Sequence, residues 1–225
     1  MPAHLESQLL APRRFDNDRY EIRTIENVEE LKAAFALRYS IFEPMNVIPD
    51  EYNSRATRLE LDNFDKYSIP LGCFLLRPSQ ALVGQVRLIT TSYDHRFDRL
   101  TWQMVEQAED RELSRVFDAP YTQELPVFES FPLLELKRYL LRNGLKYCEL
   151  SRIVVLEKER GHGVASKLIV AALDLAKSQR MNVVLLGCAE ENTGFYERFG
   201  FEVLDTAVTM YHRIGKPSLA MRADL

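Results

Sequence analysis

The chain has 225 residues, with 29 lysines and arginines against 33 aspartates and glutamates, and a formal charge of −4. This length allows a sizeable hydrophobic core, and the slight acidic excess argues against general nucleic-acid binding. No apolar run approaches the roughly 20 residues that cross a bilayer, and the N-terminus, M-P-A-H-L-E-S-Q, lacks a signal-peptide pattern. We therefore predict a cytoplasmic protein with no membrane span and no nucleic-acid partner.

The three cysteines, Cys73, Cys148 and Cys188, lie apart from one another in apolar segments. No C-x-x-C pair or Cys/His cluster is present, which indicates reduced core thiols rather than a disulfide frame or a metal site. Cys148 could instead be a nucleophile, but no histidine lies near it in the sequence. Packing is therefore the stronger interpretation, and no metal site is predicted.

Residues 1–18 are predicted to be a polar lead-in, and residues 19–225 a single domain. Alternating residues indicate a first strand over Tyr20–Ile25. Asn27, followed three residues later by Glu30, resembles a capping box and marks a helix start. The apolar stripe of that helix includes one arginine: Leu31, Phe35, Arg38 and Phe42.

An arginine on a buried stripe needs an anionic partner, because an unpaired buried charge costs several kcal/mol. Asp62 and Asp65, in L-D-N-F-D, are the natural partners of Arg38, and Arg87 follows on a predicted strand, Ala81–Thr91. We expect these charges to form one partly buried network. Such a network could be purely structural, or it could shape the pocket for an acceptor substrate.

Residues 92–147 are interpreted as an insertion. Helices are predicted at Arg99–Ala108 and Phe131–Arg142, the second stopped by Asn143-Gly144, with a proline-containing loop over Asp118–Phe128 between them. The insertion is expected to cover the acceptor or acyl-chain pocket. The alternative is an inert surface elaboration.

The most informative stretch follows. An apolar run, Leu150–Leu156, is typical of a buried strand, and a glycine-containing turn, 157–163, leads into a helix with apolar residues at Val164, Leu168 and Ala172. Strand, glycine turn and helix N-terminus together suit phosphate, because unpaired N–H groups and the helix dipole meet there. An ordinary strand–helix turn is the alternative, and neither the P-loop nor the dinucleotide spacing fits.

The C-terminal part completes a sheet. Strands are predicted at Asn182–Ala189 and Phe201–Asp205, with a short helix, Glu191–Phe199, between them. Val208–Ile214 and Ser218–Ala223 are predicted to form a closing hairpin. The whole chain is expected to be an α/β domain with a mixed sheet and helices on both faces.

Two motifs, in this order, resemble those of the GCN5-related N-acyltransferases (GNATs). The first resembles the family's pyrophosphate loop: Arg160-Gly161-His162-Gly163-Val164-Ala165. The second resembles the helix that carries F-Y-x-x-x-G-F in the same family and runs from Asn192 to Phe201. The resemblance implies a mostly antiparallel sheet with a splayed central strand pair, to which the helical insertion would be added.

A further set of residues stands in the order seen in LuxI-type autoinducer synthases and in the related long-chain N-acyl amino acid synthases: Arg38, Phe42, Asp62, Asp65, Arg87, Glu149 and Arg152. The segment after Phe42 lacks the tryptophan that lines the S-adenosylmethionine site of autoinducer synthases. The long gap between Arg87 and Glu149 also favours the N-acyl amino acid synthase branch. All of these residues except Glu149 are taken as substrate-binding.

The resemblance also implies how a thioester would bind. A bulged central strand would offer N–H groups of Ile153, Val154 and Val155 to the thioester carbonyl. The phosphopantetheine phosphate would lie on Arg160–Ala165, with Asn192 also near the cofactor. No tightly bound cofactor is expected, since the acyl thioester of phosphopantetheine is a co-substrate.

The chemistry requires an amine to lose a proton and a thiolate to be stabilised. Glu149 is the candidate general base, with a pKa raised by a hydrophobic slot, and Tyr196 fits the tyrosine that protonates the thiolate in many relatives. Arg152 could hold the carboxylate of an acceptor. Glu149 and Arg152 reach one site only if the strand bulges between them. The alternatives are a structural Glu–Arg pair and a Tyr196 that only packs.

The sequence leaves three functions open. The first is a long-chain N-acyl amino acid synthase that uses an acyl carrier protein, with autoinducer synthesis as its variant. The second is an acetyl-CoA-dependent N-acetyltransferase of a small amine or protein. The third is a non-catalytic module that binds an acyl thioester.

Overall fold

The computed structural model describes residues 16–48, 57–77, 80–90, 124–211 and 216–225, with the backbone alone at 205–211. The strands are β1 (Tyr20–Thr24), β2 (Ser68–Leu75), β3 (Leu82–Thr90), β4 (Tyr147–Val155), β5 (Val183–Ala189), β6 (Glu202–Tyr211) and β7 (Lys216–Asp224). The α-helices are α1 (Val28–Phe42), α2 (Pro126–Ser130), α3 (Leu134–Arg142), α4 (Val164–Ser178) and α5 (Thr193–Glu197). Short 3-10 turns lie at Asp65–Tyr67, Glu157–Glu159 and Glu190–Asn192.

The seven strands form one sheet in the order β1-β2-β3-β4-β5-β7-β6. The central pair, β4 and β5, is parallel, whereas the other paired strands are antiparallel. The predicted fold class, a mixed and mostly antiparallel sheet in an α/β chain, is therefore confirmed.

Helices cover both faces of the sheet because the strands carry apolar residues on both sides. On one face α4 buries Val164, Leu168 and Ala172 against β1 to β4, at the spacing that the sequence predicted. On the opposite face α1 packs over the β1–β3 side, while α2 and α3 pack over β4 and β5. The site lies on this second face.

The start of α1 follows from local chemistry. The side chain of Asn27 accepts a hydrogen bond from the Glu30 N–H at 2.9 Å, as the capping pattern predicted. The Glu30 carboxylate accepts the Glu26 N–H instead of returning to Asn27, and it also binds Arg23. The helix therefore has its N-cap and is fixed to β1 by an ion pair.

Several predicted boundaries are wrong. Strand β4 begins at Tyr147 rather than Leu150, so Glu149 lies inside it. The two predicted segments 201–205 and 208–214 are one strand, β6, whose pairing with β7 shifts register between Val203 and Val208. The helix predicted from Phe131 begins at Leu134, and the one predicted over 191–199 shortens to α5.

Strand β2 was absent from the sequence interpretation. Its sequence, S-I-P-L-G-C-F-L, contains Pro70 and Gly72, two residues that count against a central strand. Pro70 lies near the start of the strand, and the Phe74 ring and the Leu82 side chain occupy the space beside Gly72 where a Cβ would stand. Both residues are thus accommodated.

The helix predicted at 99–108, most of the loop predicted at 118–128, and residues 1–15 of the lead-in lie outside the described residues. The division into a lead-in, a domain and an insertion stays a prediction. None of the helices in the described ranges has both the length and the apolar character that a membrane crossing requires.

Candidate active site

A slot opens between the two central strands. β4 and β5 pair at three positions only, Tyr147 with Val183, Cys148 with Val184, and Glu149 with Leu185. Beyond these pairs β4 continues to Val155 beside β3, and β5 continues beside β7, without pairing to each other. The splayed strand pair implied by the family resemblance is present, and Glu149 stands at the point where the strands part.

β4 bulges just past that point. Gln85 and Arg87 of β3 pair with Val154 and Ser151, so one residue of β3 faces two of β4, Arg152 and Ile153. Arg152 has a φ of 53°, the left-handed region, and the Gln85 side chain donates to its carbonyl oxygen at 3.3 Å. The bulge turns the Arg152 side chain to the face that carries Ser151 and Glu149. Glu149 and Arg152 can therefore reach one site, as the sequence analysis predicted for a bulged strand.

Glu149 is buried, with 4% of its surface exposed. One carboxylate oxygen accepts a hydrogen bond from the Val127 N–H at 2.8 Å, so α2 lies directly over it. Burial raises the pKa of Glu149 to about 8, against the opposing effects of that N–H group and of Arg87 and Arg152. A carboxyl group with this pKa can exchange a proton near neutral pH, as a general base must.

Beside Glu149, three arginines and three carboxylates form a closed ring of alternating charge, which we call the ion ring: Arg38, Asp65, Arg87, Asp62, Arg152 and Glu60. Each arginine contacts two of the carboxylates, and each carboxylate contacts two of the arginines. Arg38 and Arg87 bind Asp65 and Asp62, respectively, through both terminal nitrogens at 2.6–3.1 Å. The predicted network therefore exists, and Glu60 and Arg152 close it.

The ring is stable electrostatically because it is neutral. Burial alone would raise the pKa of Asp62 and of Glu60, but the neighbouring arginines lower both pKa values below the ordinary range. Five members are at most 8% exposed, and only Arg152 reaches the slot. The ring holds α1 and the segment 60–65 against β3 and β4.

Most of the hydrogen-bonding capacity of Arg152 is used within the ion ring. Its Nε and Nη2 atoms donate to Glu60 and Asp62, both at 3.0 Å, while its guanidinium lies 5.8 Å from the ring centroid of Phe42. Within the described residues, its Nη1 atom makes no hydrogen bond. Bidentate binding of an acceptor carboxylate by Arg152 would break its contacts with Glu60 or Asp62. A single hydrogen bond from Nη1 to that carboxylate is therefore more compatible with the structure.

The side of the slot away from the ring is apolar. A buried cluster of α2, α3 and β5 side chains lies there, and it includes Leu125, Phe131 and Leu185. A Cβ built on Gly187 of β5 would lie 2.8 Å from an aromatic carbon of Phe131. The phenyl group of Phe131 therefore packs on the strand backbone at Gly187, just past the last β4–β5 pair. Glu149 thus stands between a charged wall and an apolar wall.

The turn after β4 leads to the N-terminus of α4. Gly161 and Gly163 both have φ values of 78°, and Gly163 caps α4 without a side-chain hydrogen bond. The N–H of Lys167 already bonds the Gly163 carbonyl at 3.0 Å, so the N–H groups of residues 164–166 remain for a ligand. Arg160 is exposed beside them and donates weakly, at 3.4 Å, to the Val155 carbonyl.

Residues 128–201, which include β4, the turn and α4, match the family model for the acetyltransferase (GNAT) family. This segment therefore resembles a GNAT acetyltransferase domain. Residues 124–127, including the N–H group over Glu149, lie just outside the matched segment.

Solved structures share the fold over most of the chain. FeeM, an N-acyl amino acid synthase from uncultured soil microbes, is 15% identical with a TM-score of 0.64, over 92% of this chain and 91% of that one. BjaI, a CoA-dependent acyl-homoserine lactone synthase, is 18% identical with a TM-score of 0.55, over 91% and 83%. An acyl-CoA N-acyltransferase from Pseudomonas aeruginosa is 16% identical with a TM-score of 0.51, over 91% and 97%. These likenesses establish the GNAT fold.

The second GNAT motif packs into the apolar cluster on the α4 face of the sheet. Tyr196 of α5 is buried among Phe195 and Phe201, and burial raises the pKa of its hydroxyl far above the ordinary value. A buried tyrosine with this pKa stays protonated and could still donate a proton. Asn192 is exposed at the start of α5 and makes no capping hydrogen bond. The roles of both residues stay predictions.

Cys148 is fully buried on the α4 face of β4, and burial raises the pKa of its thiol well above the ordinary value. A nucleophilic cysteine needs the opposite, a lowered thiol pKa and partial exposure. The packing interpretation therefore fits the structure.

Two parts of the site, the Glu60 carboxylate and the Val127 N–H group, were not predicted from the sequence. Glu60 stands two residues before Asp62, the spacing that places side chains on one side of an extended chain, and this signal was available. The N–H group of Val127 is a backbone donor, and no sequence pattern marks it.

The loop Arg160–Ala165, which resembles the GNAT pyrophosphate loop, gives a direct prediction. Gly161→Ala is expected to weaken CoA binding severalfold and to lower the free energy of unfolding by about 1 kcal/mol, because alanine disfavours a left-handed φ. Gly144→Ala is the matched control, since Gly144 has a φ of 62° and, like Gly161, nothing within 4 Å of a built Cβ. Calorimetric titration with CoA should separate the two variants. Equal CoA affinities would show that the loop does not hold the phosphates.

Proposed function

We propose that this chain is an N-acyltransferase that moves an acyl group from a phosphopantetheine thioester to the amine of an amino acid or a similar small molecule. The observation that carries the proposal is the slot that opens between β4 and β5 at a buried Glu149 whose pKa is raised to about 8. A phosphopantetheine arm needs unpaired strand edges to lie against, and the acceptor amine needs a base beside the thioester. The parted edges of β4 and β5 and the Glu149 carboxylate lie at the same place.

The donor would lie in the slot with its phosphate at α4. The N-terminus of α4 and residues Arg160–Ala165 would hold the phosphate. The N–H groups of Ile153, Val154 and Val155 are the candidates to bond the thioester carbonyl and its tetrahedral oxyanion. One such donor is typically worth about 3 kcal/mol of transition-state stabilisation.

The transfer then needs three proton movements. Glu149 would take a proton from the ammonium group, directly or through a water, so that the amine nitrogen can attack the thioester carbon and form the carbon–nitrogen bond. The tetrahedral intermediate then collapses with cleavage of the carbon–sulfur bond, and the departing thiolate takes a proton, for which Tyr196 is the candidate donor. The nitrogen gives up its second proton as the amide forms, and that proton returns through water to the tyrosinate. The products are an amide and a free thiol.

The two walls of the slot suggest where each substrate lies. An amino acid carboxylate would favour the charged wall, where the Nη1 atom of Arg152 and the ring of Phe42 are available. The acyl chain would favour the apolar wall formed with Phe131 and Leu185. This arrangement supports a polar, carboxylate-bearing acceptor and an acyl group longer than acetyl.

An acyl carrier protein is the donor that we propose first, because carrier proteins are acidic and basic side chains surround the phosphate loop. Lys158, Arg160 and Lys167 are exposed at that end of α4. Two further basic residues of the sequence are more distant: Lys177 lies ten residues beyond Lys167 along α4, about 15 Å away, and Arg180 follows the end of that helix. Docking would therefore involve the first three. An acyl-CoA donor would use the same loop, and BjaI is named as CoA-dependent.

The second candidate function is acetyl transfer from acetyl-CoA to a small amine or protein. The family model that matches residues 128–201 is named for acetyltransferases, which favours this reading. Autoinducer synthesis is a variant of the first proposal and would consume S-adenosylmethionine.

One assay separates these functions. Purified protein would be given acetyl, octanoyl, dodecanoyl and palmitoyl donors, on CoA and on carrier protein, with each common amino acid or with S-adenosylmethionine. Free thiol would be measured together with the mass of the product. We expect an N-acyl amino acid, with the rate rising from acetyl to longer chains. A sharp preference for acetyl would establish the second candidate, and a lack of product from every donor would overturn the proposal.

A further inference from the structure

The carboxylate of Glu159 is buried in the turn that immediately precedes the GNAT phosphate loop. Only 3% of this residue is exposed, which is unusual for a glutamate between β4 and a surface loop. One of its oxygens accepts two hydrogen bonds, from the Tyr20 hydroxyl at 2.6 Å and from Nη2 of Arg19 at 2.8 Å. These contacts join residues about 140 positions apart in the chain.

The partners of Glu159 are themselves fixed. The carbonyl of Asp16 accepts the N–H groups of Arg19 and Tyr20, which makes a tight turn just before β1. The Arg19 carbonyl accepts the Leu76 N–H at 2.9 Å, so this turn is fixed to the end of β2. The Tyr20 ring packs in the core on the α4 face, and burial raises the pKa of its hydroxyl to about 12, so the hydroxyl stays a donor.

We propose that Glu159, Tyr20 and Arg19 act together as positioning residues that hold the phosphate loop in its ligand-binding conformation. The inference rests on the proposed function, because it assumes that a phosphopantetheine phosphate binds at this loop. It assigns a role in donor binding to the turn before β1 and to the first residue of that strand, which make no other contact with the slot among the described residues.

The physical reason is the geometry of the loop. Gly161 and Gly163 adopt left-handed φ values. Glycine populates other φ values about as readily, so these two residues do not by themselves hold the loop in this conformation. Glu159 stands one residue before Arg160 and two before Gly161, and it connects this end of the loop to the sheet. Arg19 neutralises the carboxylate, so the anchor adds no uncompensated negative charge beside a phosphate.

The experiment measures affinity for two probes, CoA and pantetheine, which lacks the phosphates. The variants are Tyr20→Phe, Glu159→Ala and the double variant, and the binding constants come from calorimetric titration. We expect Tyr20→Phe to weaken CoA binding roughly tenfold, the effect of losing one hydrogen bond to a charged group. Pantetheine affinity should stay unchanged. The double variant should bind CoA no more weakly than Glu159→Ala, because both changes remove the same contact.

Glu30→Ala is the matched control. It removes another carboxylate–arginine contact to β1, the pair with Arg23, on the side away from the loop. This control should lose stability and keep its CoA affinity. Equal losses for CoA and pantetheine, or additive effects in the double variant, would overturn the positioning role alone. A wild-type protein that binds neither probe would overturn the proposed function itself.

Discussion

Replacing Glu149 with glutamine is expected to lower kcat for acyl transfer by about 10²–10⁴-fold, the usual contribution of a positioned general base. Glutamine has the same shape, and its side-chain oxygen can still accept the Val127 N–H, so the slot should keep its form. The Kd for the acyl donor should therefore stay near the wild-type value. Single-turnover rates and calorimetric titration would measure the two quantities separately.

The pH dependence makes this prediction specific. The wild-type rate should rise with pH as Glu149 loses its proton and should level off above about pH 8, since its pKa is about 8. The glutamine variant should lack this rise. A variant that keeps wild-type kcat, or that keeps the same rise with pH, would assign the base to another group.

Stability gives an independent check with a definite sign. The ordinary pKa of a glutamate side chain is 4.5, whereas the pKa of Glu149 in the folded chain is about 8. Between these values the folded state holds a proton that the unfolded state has released, so raising the pH lowers the free energy of unfolding. Glu149→Gln removes this contribution. The variant should therefore gain stability relative to wild type as the pH rises from about 5 to 8, with no further gain above that, measured by denaturant titration.

The parts of the site that the sequence predicted are those with a local physical reason. A charged residue on an apolar helix stripe had to be paired, and this identified Arg38, Asp62 and Asp65 before any coordinates. The glycine turn ahead of α4 likewise follows from residue spacing. Glu149 and Arg152 were placed together only on the condition of a bulge, and the left-handed φ of Arg152 satisfies that condition.

The remaining parts depend on tertiary contacts that no local pattern encodes. The closure of the ion ring requires Glu60 and Arg152 to meet across 92 positions of sequence. The N–H group of Val127 reaches Glu149 only because α2 lies over the parting strands. Strand β2 was missed because Pro70 and Gly72 contradict strand propensity, and packing in the middle of the sheet outweighs that propensity.

The ion ring yields the second large effect. Arg38→Met removes one positive charge from a buried, neutral ring, and Glu60 and Asp65 each lose one of two cationic partners. Breaking a buried ion pair by removing one partner typically costs about 3–5 kcal/mol, because the remaining charge is desolvated without compensation. We expect a loss of that size in the free energy of unfolding, measured by urea titration at pH 7.

Neutrality of the ring can be tested by restoring it. Arg38→Met combined with Asp65→Asn leaves two arginines and two carboxylates, so the double variant should be more stable than Arg38→Met alone. In the single variant Glu60 and Asp65, each left with one arginine, should have higher pKa values than in wild type, so the deficit relative to wild type should shrink as the pH falls towards 5. Wild type should instead lose stability in more acidic solution, because arginines lower the pKa of Asp62 and Glu60. Additive losses in the double variant would mean that the six side chains act as separate pairs, and the ring would then have no collective role in holding α1 against the slot.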